Sequence, residues 1–159
     1  MTTGRDGYFV LPGVGKKFER DPDRPVLVKA SGEDTDGAFA VLEETVGPGG
    51  GGPLHVHRDS DELIYVLEGE FRFRIGERLT SGTAGTLAFV PKGVAHNWQN
   101  IARRPGRMLF VLQPAGFEKC LEDISRIPIS QRDLATLKLA YQRHGADVLG
   151  PRLPPIGQS

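Results

Sequence analysis

Short apolar runs, separated by glycine, proline and polar residues, make up the middle of the chain. In residues 70–75, apolar side chains alternate with charged ones, which predicts a β-strand with one face in a core and the other in water. Residues 26–30 and 38–46 are predicted as two earlier strands from their apolar and β-branched content. These short segments continue to residue 113, so the chain is expected to be an all-β protein built from hairpins.

Two of the predicted strands are apolar on both faces. Residues 63–67 read LIYVL and residues 108–112 read MLFVL. A strand of this kind needs a core on one side and a cover on the other. The cover could come from the C-terminal helices or from a second copy of the chain. Because a short apolar stretch at residues 8–11 adds to this surface, we expect a homodimer.

The pattern changes after residue 113, where helical spacing replaces the strand pattern. Residues 117–124 are predicted as a short helix. A second helix is expected to start near Ser130, with Asp133 completing a capping box, and to end at His144 before Gly145. We expect one domain over residues 1–159, divided into an N-terminal arm (1–25), a β-barrel (26–113), a short C-terminal helical extension (114–145) and an extended tail (146–159).

The composition narrows the classes of function. Lys plus Arg and Asp plus Glu number 20 each, so the summed charge does not attract nucleic acid or an anionic membrane, and neither is expected as a partner. Gly (21) and Pro (12) are abundant, as in a turn-rich β protein. The single cysteine, Cys120, excludes an intrachain disulfide, and the N-terminus lacks an apolar signal region, so a cytoplasmic location is expected.

Three of the four histidines lie in the same part of the chain, at His55, His57 and His96. His55 and His57 are two residues apart, so both project from one face of an extended strand. Glu62 follows a polar turn and can add a carboxylate from an adjoining strand, while His96 has to come from a separate strand. Three imidazoles and one carboxylate make a mixed nitrogen and oxygen site, suited to one divalent Fe, Mn, Ni, Co or Zn ion.

Ten residues at fixed spacing resemble the two sequence motifs of the cupin superfamily. The first motif is matched by Gly49, His55, His57, Glu62 and Gly69. The second is matched by Gly85, Pro91, Gly93, His96 and Asn100. The resemblance implies a cupin-type antiparallel β-barrel, a double-stranded jelly roll, that holds a divalent metal through the three histidines and Glu62. The glycines and the proline are interpreted as turn residues, and the glycine-rich segment 47–53 as a flexible rim loop.

Side chains that share a strand face with the metal ligands are predicted to line a substrate pocket. They are Ile64, Val66, Phe73, Trp98 and Asn100. The first two share the face of Glu62, and the last two share the face of His96. Such a pocket is mainly apolar with an aromatic wall, which suits a flat aromatic molecule as substrate. The alternative is that these side chains simply fill a narrow barrel.

Among small single-domain cupins, the chain resembles bacterial proteins grouped with quercetin 2,3-dioxygenases. The resemblance implies a metal-dependent dioxygenase acting on a flavonol-like or other enolisable aromatic small molecule. Glu62 is the catalytic candidate, because a carboxylate ligand could also take the proton of the substrate hydroxyl. Two alternatives stay open: a non-oxidative metalloenzyme such as a polyketide cyclase or an isomerase, and a small-molecule-binding module without turnover.

Overall fold

Strands make up most of the structure between residues 16 and 113. The computed structural model describes residues 7–21 and 24–156, in which the chain forms eleven strands and two α-helices. The strands are β1 (Lys16–Glu19), β2 (Pro25–Ala30), β3 (Ala40–Val46), β4 (Leu54–His57), β5 (Asp61–Glu68), β6 (Glu70–Ile75), β7 (Arg78–Thr83), β8 (Leu87–Val90), β9 (His96–Asn100), β10 (Gly106–Gln113) and β11 (Ala146–Gly150). The helices are α1 (Glu118–Arg126) and α2 (Leu134–Arg143), with a short 3₁₀ turn at Ile129–Gln131 between them.

The strands form two antiparallel sheets that share one core. The first sheet has the order β1-β2-β3-β10-β5-β8 and the second the order β11-β4-β9-β6-β7. Every second side chain of β3 and β10 is buried, because alternate residues of a strand point to opposite faces of its sheet. The buried apolar side chains of both sheets form one cluster. This arrangement confirms the predicted antiparallel jelly roll with a C-terminal helical extension.

Two of the expected boundaries are wrong. The arm expected to reach residue 25 contains β1, which pairs with β2 and buries Phe18. The tail expected from residue 146 begins with β11, which pairs with β4. Both strands are short and are fixed by pairing with a neighbour, which a pattern along the chain does not reveal. Residues 8–11, expected to be extended, lie outside the strands.

The two helices lie close to their predicted positions, but the second has a different N-cap. The backbone N–H of Thr136 donates to the side chain of Asp133, so Asp133 is itself the N-cap. Ser130 lies in the preceding 3₁₀ turn, and the expected capping box is therefore wrong. Gly145 follows the helix with a φ of +76°, as a C′ glycine does. Neither helix in the described part of the chain is long and apolar enough to cross a membrane.

The glycine-rich segment before β4 is packed against β9. The backbone N–H of Asn100 donates to the carbonyl of Gly50, and Gly51 forms an isolated bridge with Gln99. A Cβ on Gly51 would lie 2.1 Å from the carbonyl oxygen of Trp98, so only glycine fits at this position. The segment is therefore part of the wall of the barrel, and the expectation of a flexible rim loop is wrong.

The outer face of the first sheet carries exposed apolar side chains. Leu63 and Tyr65 on β5 lie opposite Phe89 and Leu87 on the edge strand β8, and all four are at least one third exposed. The helices do not cover this face, since α2 packs against β11 and α1 against α2 and β1. The strand predicted at residues 63–67 was expected to be covered either by the C-terminal helices or by a second copy of the chain. The helices are thus excluded as its cover.

Candidate metal centre

Strand alternation and pairing bring the four predicted ligands together. His55 and His57 occupy the two buried positions of β4, and His55 lies opposite His96 of β9 in the sheet register. Glu62 reaches the same point from β5, in the other sheet. We call these four residues the histidine cluster. Each is at most 3% exposed, and one ligand atom from each lies within 4.8 Å of all the others.

Backbone carbonyls set the protonation of two of the imidazoles. Nδ1 of His55 lies 2.9 Å from the carbonyl oxygen of Pro53, and Nδ1 of His96 lies 3.0 Å from that of Val94. Because a carbonyl oxygen only accepts, both Nδ1 atoms carry the proton. In a neutral imidazole the remaining nitrogen, Nε2, then offers its lone pair as a ligand.

The contact between His96 and Glu62 shows that the cluster is built to hold a positive charge. Nε2 of His96 lies 2.6 Å from Oε2 of Glu62. With the proton of His96 on Nδ1, two acceptors at this separation need a proton or a metal ion between them. Nε2 of His57 is also buried, lies 3.7 Å from the same carboxylate oxygen, and has no hydrogen-bond partner in the described part of the chain.

The spacing of the ligand atoms also fits an ion. Metal–nitrogen and metal–oxygen distances of roughly 2.0–2.2 Å place opposite ligands about 4.4 Å apart. The atoms of the histidine cluster lie within 4.8 Å of one another, so shifts of a few tenths of an ångström close them around a metal. The donor set and the unpartnered imidazole nitrogen therefore fit a divalent transition metal.

Burial and neighbouring groups shift the pKa values of two of the four ligands, Glu62 and His55. Burial raises the pKa of the Glu62 carboxyl, but the imidazoles of His57 and His96 outweigh it and hold that pKa well below its ordinary value. Burial, helped by the two neighbouring histidines, lowers the pKa of His55 well below its ordinary value. A charged carboxylate and a neutral imidazole are the forms that bind a metal.

The cavity beside the histidine cluster is small. Its volume is about 20 Å³, which is room for about one water molecule. Among the residues that line it are Arg20, His55, Glu62, Trp98, Phe117 and Leu121. The ring of Phe117 lies 4.4 Å from that of His57, centroid to centroid, so α1 closes the cavity through the residue that precedes it. As the structure stands, side chains fill most of the barrel.

Of the five predicted pocket residues, the structure places Trp98 on this cavity and the other four elsewhere. Ile64 and Val66 are buried in the core cluster. Phe73 lines a separate groove, together with residues of β7 and β8. Asn100 is a structural residue, since its Nδ2 donates to the carbonyls of Val46 and Arg104, and its Oδ1 accepts from the N–H of Ala102. These four residues therefore do not line the small cavity as it stands, and their part in a substrate pocket stays a prediction.

The sequence analysis missed a second polar group beside the same cavity. It consists of Arg20, Arg24, Glu44 and Tyr141, which we call the arginine cluster. Glu44 accepts hydrogen bonds from Nε and Nη2 of Arg24, at 2.9 and 2.5 Å. Nη2 of Arg20 donates to the hydroxyl of Tyr141, whose ring lies 5.4 Å from that of His55, centroid to centroid. All four side chains are buried.

One member of the arginine cluster, Glu44, could have been recognised from the sequence. Along β3 the inward positions are Ala40, Leu42, Glu44 and Val46, so a carboxylate interrupts an apolar face. A charged residue at such a position is expected to have a buried partner. The other members lie just after β1, just before β2 and in the last turn of α2, and the local pattern does not bring them together.

A family match covers the middle of the chain. Residues 42–112, which include both groups of motif residues, match the family described as "Cupin domain". A curated relative is a quercetin 2,3-dioxygenase of Bacillus subtilis (strain 168), to which the chain is 35% identical over 98 residues. The alignment covers 61% of this chain and 28% of the relative, so the chain spans less than a third of that protein's length.

Solved structures share the fold. KdgF from a Halomonas species has a TM-score of 0.64 at 15% identity, over 72% of this chain and 99% of that one. The polyketide cyclase RemF of Streptomyces resistomycificus has a TM-score of 0.59 at 24% identity, over 68% and 80% of the two chains. At these identities the likeness concerns the fold. Together with the geometry of the histidine cluster, the family match supports a metal-binding site of three histidines and one glutamate.

Proposed function

Because the chain belongs to the cupin superfamily, we propose that it is a metal-dependent dioxygenase acting on an enolisable aromatic small molecule. The observation that carries this proposal is the histidine cluster, a complete and buried set of three imidazoles and one carboxylate with an unpartnered ring nitrogen. The sequence identity of 35% to a quercetin 2,3-dioxygenase supports the reaction class. Because the alignment covers 28% of that protein, the substrate has to be identified by experiment.

The histidine cluster would hold one divalent metal ion, of Fe, Mn, Ni, Co or Zn. Bound there, the ion would supply Lewis-acid chemistry that polarises the substrate and dioxygen. The carbonyls of Pro53 and Val94 orient the rings of His55 and His96. Glu62 is ionised, so its carboxylate is ready to accept the proton of a substrate hydroxyl group.

Apolar side chains keep water away from this site. Phe117 and Leu121 close the cavity on the side of α1, and Trp98 lines it from β9. A cavity of about 20 Å³ does not accommodate an aromatic substrate, so binding requires these side chains to move. We therefore expect Phe117 and Leu121 to be displaced when substrate binds.

Replacing Phe117 with Ala should accelerate binding of a large substrate, measured as an increase in the association rate.

The decisive experiment combines metal analysis with oxygen uptake. Freshly purified protein is analysed for bound metal and then incubated with a panel of flavonols under air and under nitrogen. The proposal expects one metal ion per chain and oxygen uptake that matches substrate loss. Conversion under nitrogen would identify a non-oxidative enzyme instead, and substrate binding without conversion would identify a binding module. Protein that binds none of the five metals would contradict the proposal altogether.

A further inference from the structure

The cavity beside the histidine cluster is also lined by a buried positive charge, which metal binding does not explain. Arg20 lines this cavity together with His55, Glu62 and Trp98. Its side chain is only 9% exposed. Burial opposes its charge, yet Tyr141 and Glu44 hold the pKa of Arg20 above its ordinary value, so the guanidinium stays charged. A buried cation next to a metal site needs a compensating partner.

Glu44 forms its hydrogen bonds with the neighbouring arginine and not with Arg20. One carboxylate oxygen of Glu44 takes both hydrogen bonds of Arg24, while its other oxygen lies 3.8 Å from Nη1 of Arg20, beyond hydrogen-bond distance. In the part of the chain that the structure describes, the side-chain hydrogen bond of Arg20 goes to the neutral phenol of Tyr141. Arg24 also pairs with Asp21 at 3.3 Å, so Arg20 is the one of these two arginines that has no carboxylate within hydrogen-bond distance.

A second unsatisfied donor borders the same cavity. The indole Nε1 of Trp98 is buried and has no hydrogen-bond partner among the described residues. An indole N–H only donates, and a guanidinium has five N–H groups and no acceptor. Arg20 and Trp98, which both line the cavity, therefore carry N–H donors. Leaving such donors unpaired costs free energy, so they favour a ligand that brings oxygen acceptors.

The positive lining continues from Arg20 towards the surface. A neighbouring cavity of about 30 Å³ is lined by Arg20, Arg24, Arg132 and Arg152, with Asp21 as the one acidic residue among those that line it. Asp21 accepts from Arg24 at 3.3 Å and from Arg152 at 2.8 Å. The Arg152 side chain is about half exposed, and Arg20 borders both cavities. An anion approaching from this side meets guanidinium groups along its way.

From this geometry we propose that Arg20 is a substrate-binding residue and that the substrate is an aromatic carboxylate. Its carboxylate is held by the planar guanidinium of Arg20, with the N–H of Trp98 as a further donor. An arginine side chain matches the two oxygens of a carboxylate, which favours this group over a single-oxygen anion. The proposal rests on the proposed function in one respect, that this cavity is where the substrate binds.

The test compares a charged ligand with a neutral one of the same shape. Benzoate and benzamide are titrated into the full-length protein, both metal-free and loaded with zinc. Trp98 is the only tryptophan of the chain and lines the cavity, so quenching of its fluorescence reports binding. We expect benzoate to bind about 10- to 100-fold more tightly than benzamide, as one charge-assisted pair provides. Equal affinities, or the absence of quenching by either ligand, would overturn the proposal.

Variants of Arg20 test whether this residue causes the preference for benzoate over benzamide. Arg20→Gln should remove most of the preference for benzoate, and Arg20→Lys, which keeps the charge but not the planar fork, should retain part of it. Arg107→Gln is the matched control, since Arg107 is an exposed arginine of β10 that pairs with Glu43 and Glu68. It should bind benzoate as the wild type does. An unchanged preference in Arg20→Gln would show that Arg20 serves only to hold Tyr141.

Folding is checked by circular dichroism before each titration. If Arg20→Gln does not fold, Arg20→Lys decides the question: a reduced preference for benzoate supports the proposal, and an unchanged one overturns it. Metal content is measured on the same preparations, so the two proposals fail separately. Protein that binds metal but shows no charge preference overturns the role of Arg20 alone, whereas protein that prefers benzoate but binds none of the five metals overturns the metal-dependent function alone.

Discussion

The histidine cluster and the arginine cluster border one cavity but reach it in different ways. The residues of the histidine cluster lie between His55 and His96 on three strands. The arginine cluster gathers Arg20, Arg24 and Glu44 from the N-terminal part of the first sheet and Tyr141 from a helix near the C-terminus. The first cluster depends on strands that are close in sequence, and the second depends on packing between distant parts of the chain.

The two clusters also differ in the charge that each lacks. Two imidazole nitrogens and a carboxylate of the histidine cluster face one another and need a cation. In the arginine cluster, the guanidinium of Arg20 has no carboxylate within hydrogen-bond distance and therefore favours an anion. A substrate with an ionisable hydroxyl group near one end and a carboxylate near the other would satisfy both. Substitutions that alter one cluster and leave the other intact therefore test whether they act as separate parts of one site.

The largest effect is expected for Glu62→Gln, which keeps the shape of the side chain and removes its basicity. If Glu62 takes a proton from substrate, turnover should fall by about 10²–10⁴-fold while metal stays bound. If Glu62 is a ligand only, metal content and turnover should fall together. Both quantities are measured on the same preparation with a substrate found in the oxygen-uptake screen. Full metal content with unchanged turnover would reject a catalytic role for Glu62.

A smaller effect, on metal content, is expected for His57→Ala. Nε2 of His57 is buried without a partner, and removing it takes away one of four ligands. We expect metal content to fall by about 10- to 100-fold or more, measured by elemental analysis. His144→Ala is the matched control, because this histidine pairs with Asp123 at 2.7 Å and lies outside the cluster. Full occupancy in His57→Ala would contradict the assignment of this ligand.

Part of the histidine cluster could be predicted because its geometry is local, whereas His96 lies on a separate strand, β9, and was placed with the other ligands by the resemblance to the cupin motifs. His55 and His57 share a strand face by alternation, and the polar turn between β4 and β5 brings Glu62 back towards them. The alternation of residues 70–75 likewise predicted β6 within its observed limits. In such segments the side-chain period alone decides which residues point inward, and the sequence displays that period directly.

The arginine cluster could not be predicted, because no local pattern defines its members. The strand β1, which precedes Arg20, has Phe18 as its one buried residue, so its pairing with β2 depends on the rest of the sheet. Tyr141 reaches Arg20 only through the way α2 packs against β11. The strand β11 itself was expected to be part of an extended tail. Pairing between distant segments depends on tertiary contacts, which side-chain periodicity does not encode.

Glu44→Gln should affect stability rather than metal binding. The substitution removes the buried carboxylate that lies beside Arg20 and Arg24, and breaking a buried ion pair costs about 3–5 kcal/mol. Glu43→Gln is the matched control on the outward face of β3, where Glu43 pairs with Lys29 and Arg107 and should contribute less than about 1 kcal/mol. Urea unfolding provides both values, and equal losses would contradict the importance of the buried pair.

Leu87→Glu is expected to have the smallest effect on the two clusters, because Leu87 lies outside both of them. Leu87 is 58% exposed on the apolar outer face of β8, where we expect a second copy of the chain to pack. A glutamate there should convert a dimer into a monomer, because it would place a charge in an apolar interface.

Leu79→Glu is the matched control, since Leu79 is 56% exposed on β7 of the other sheet. Light scattering at micromolar concentration measures the mass, while metal content and benzoate affinity should stay at the wild-type values. A wild-type protein that is monomeric, or equal masses for the two variants, would contradict the predicted interface.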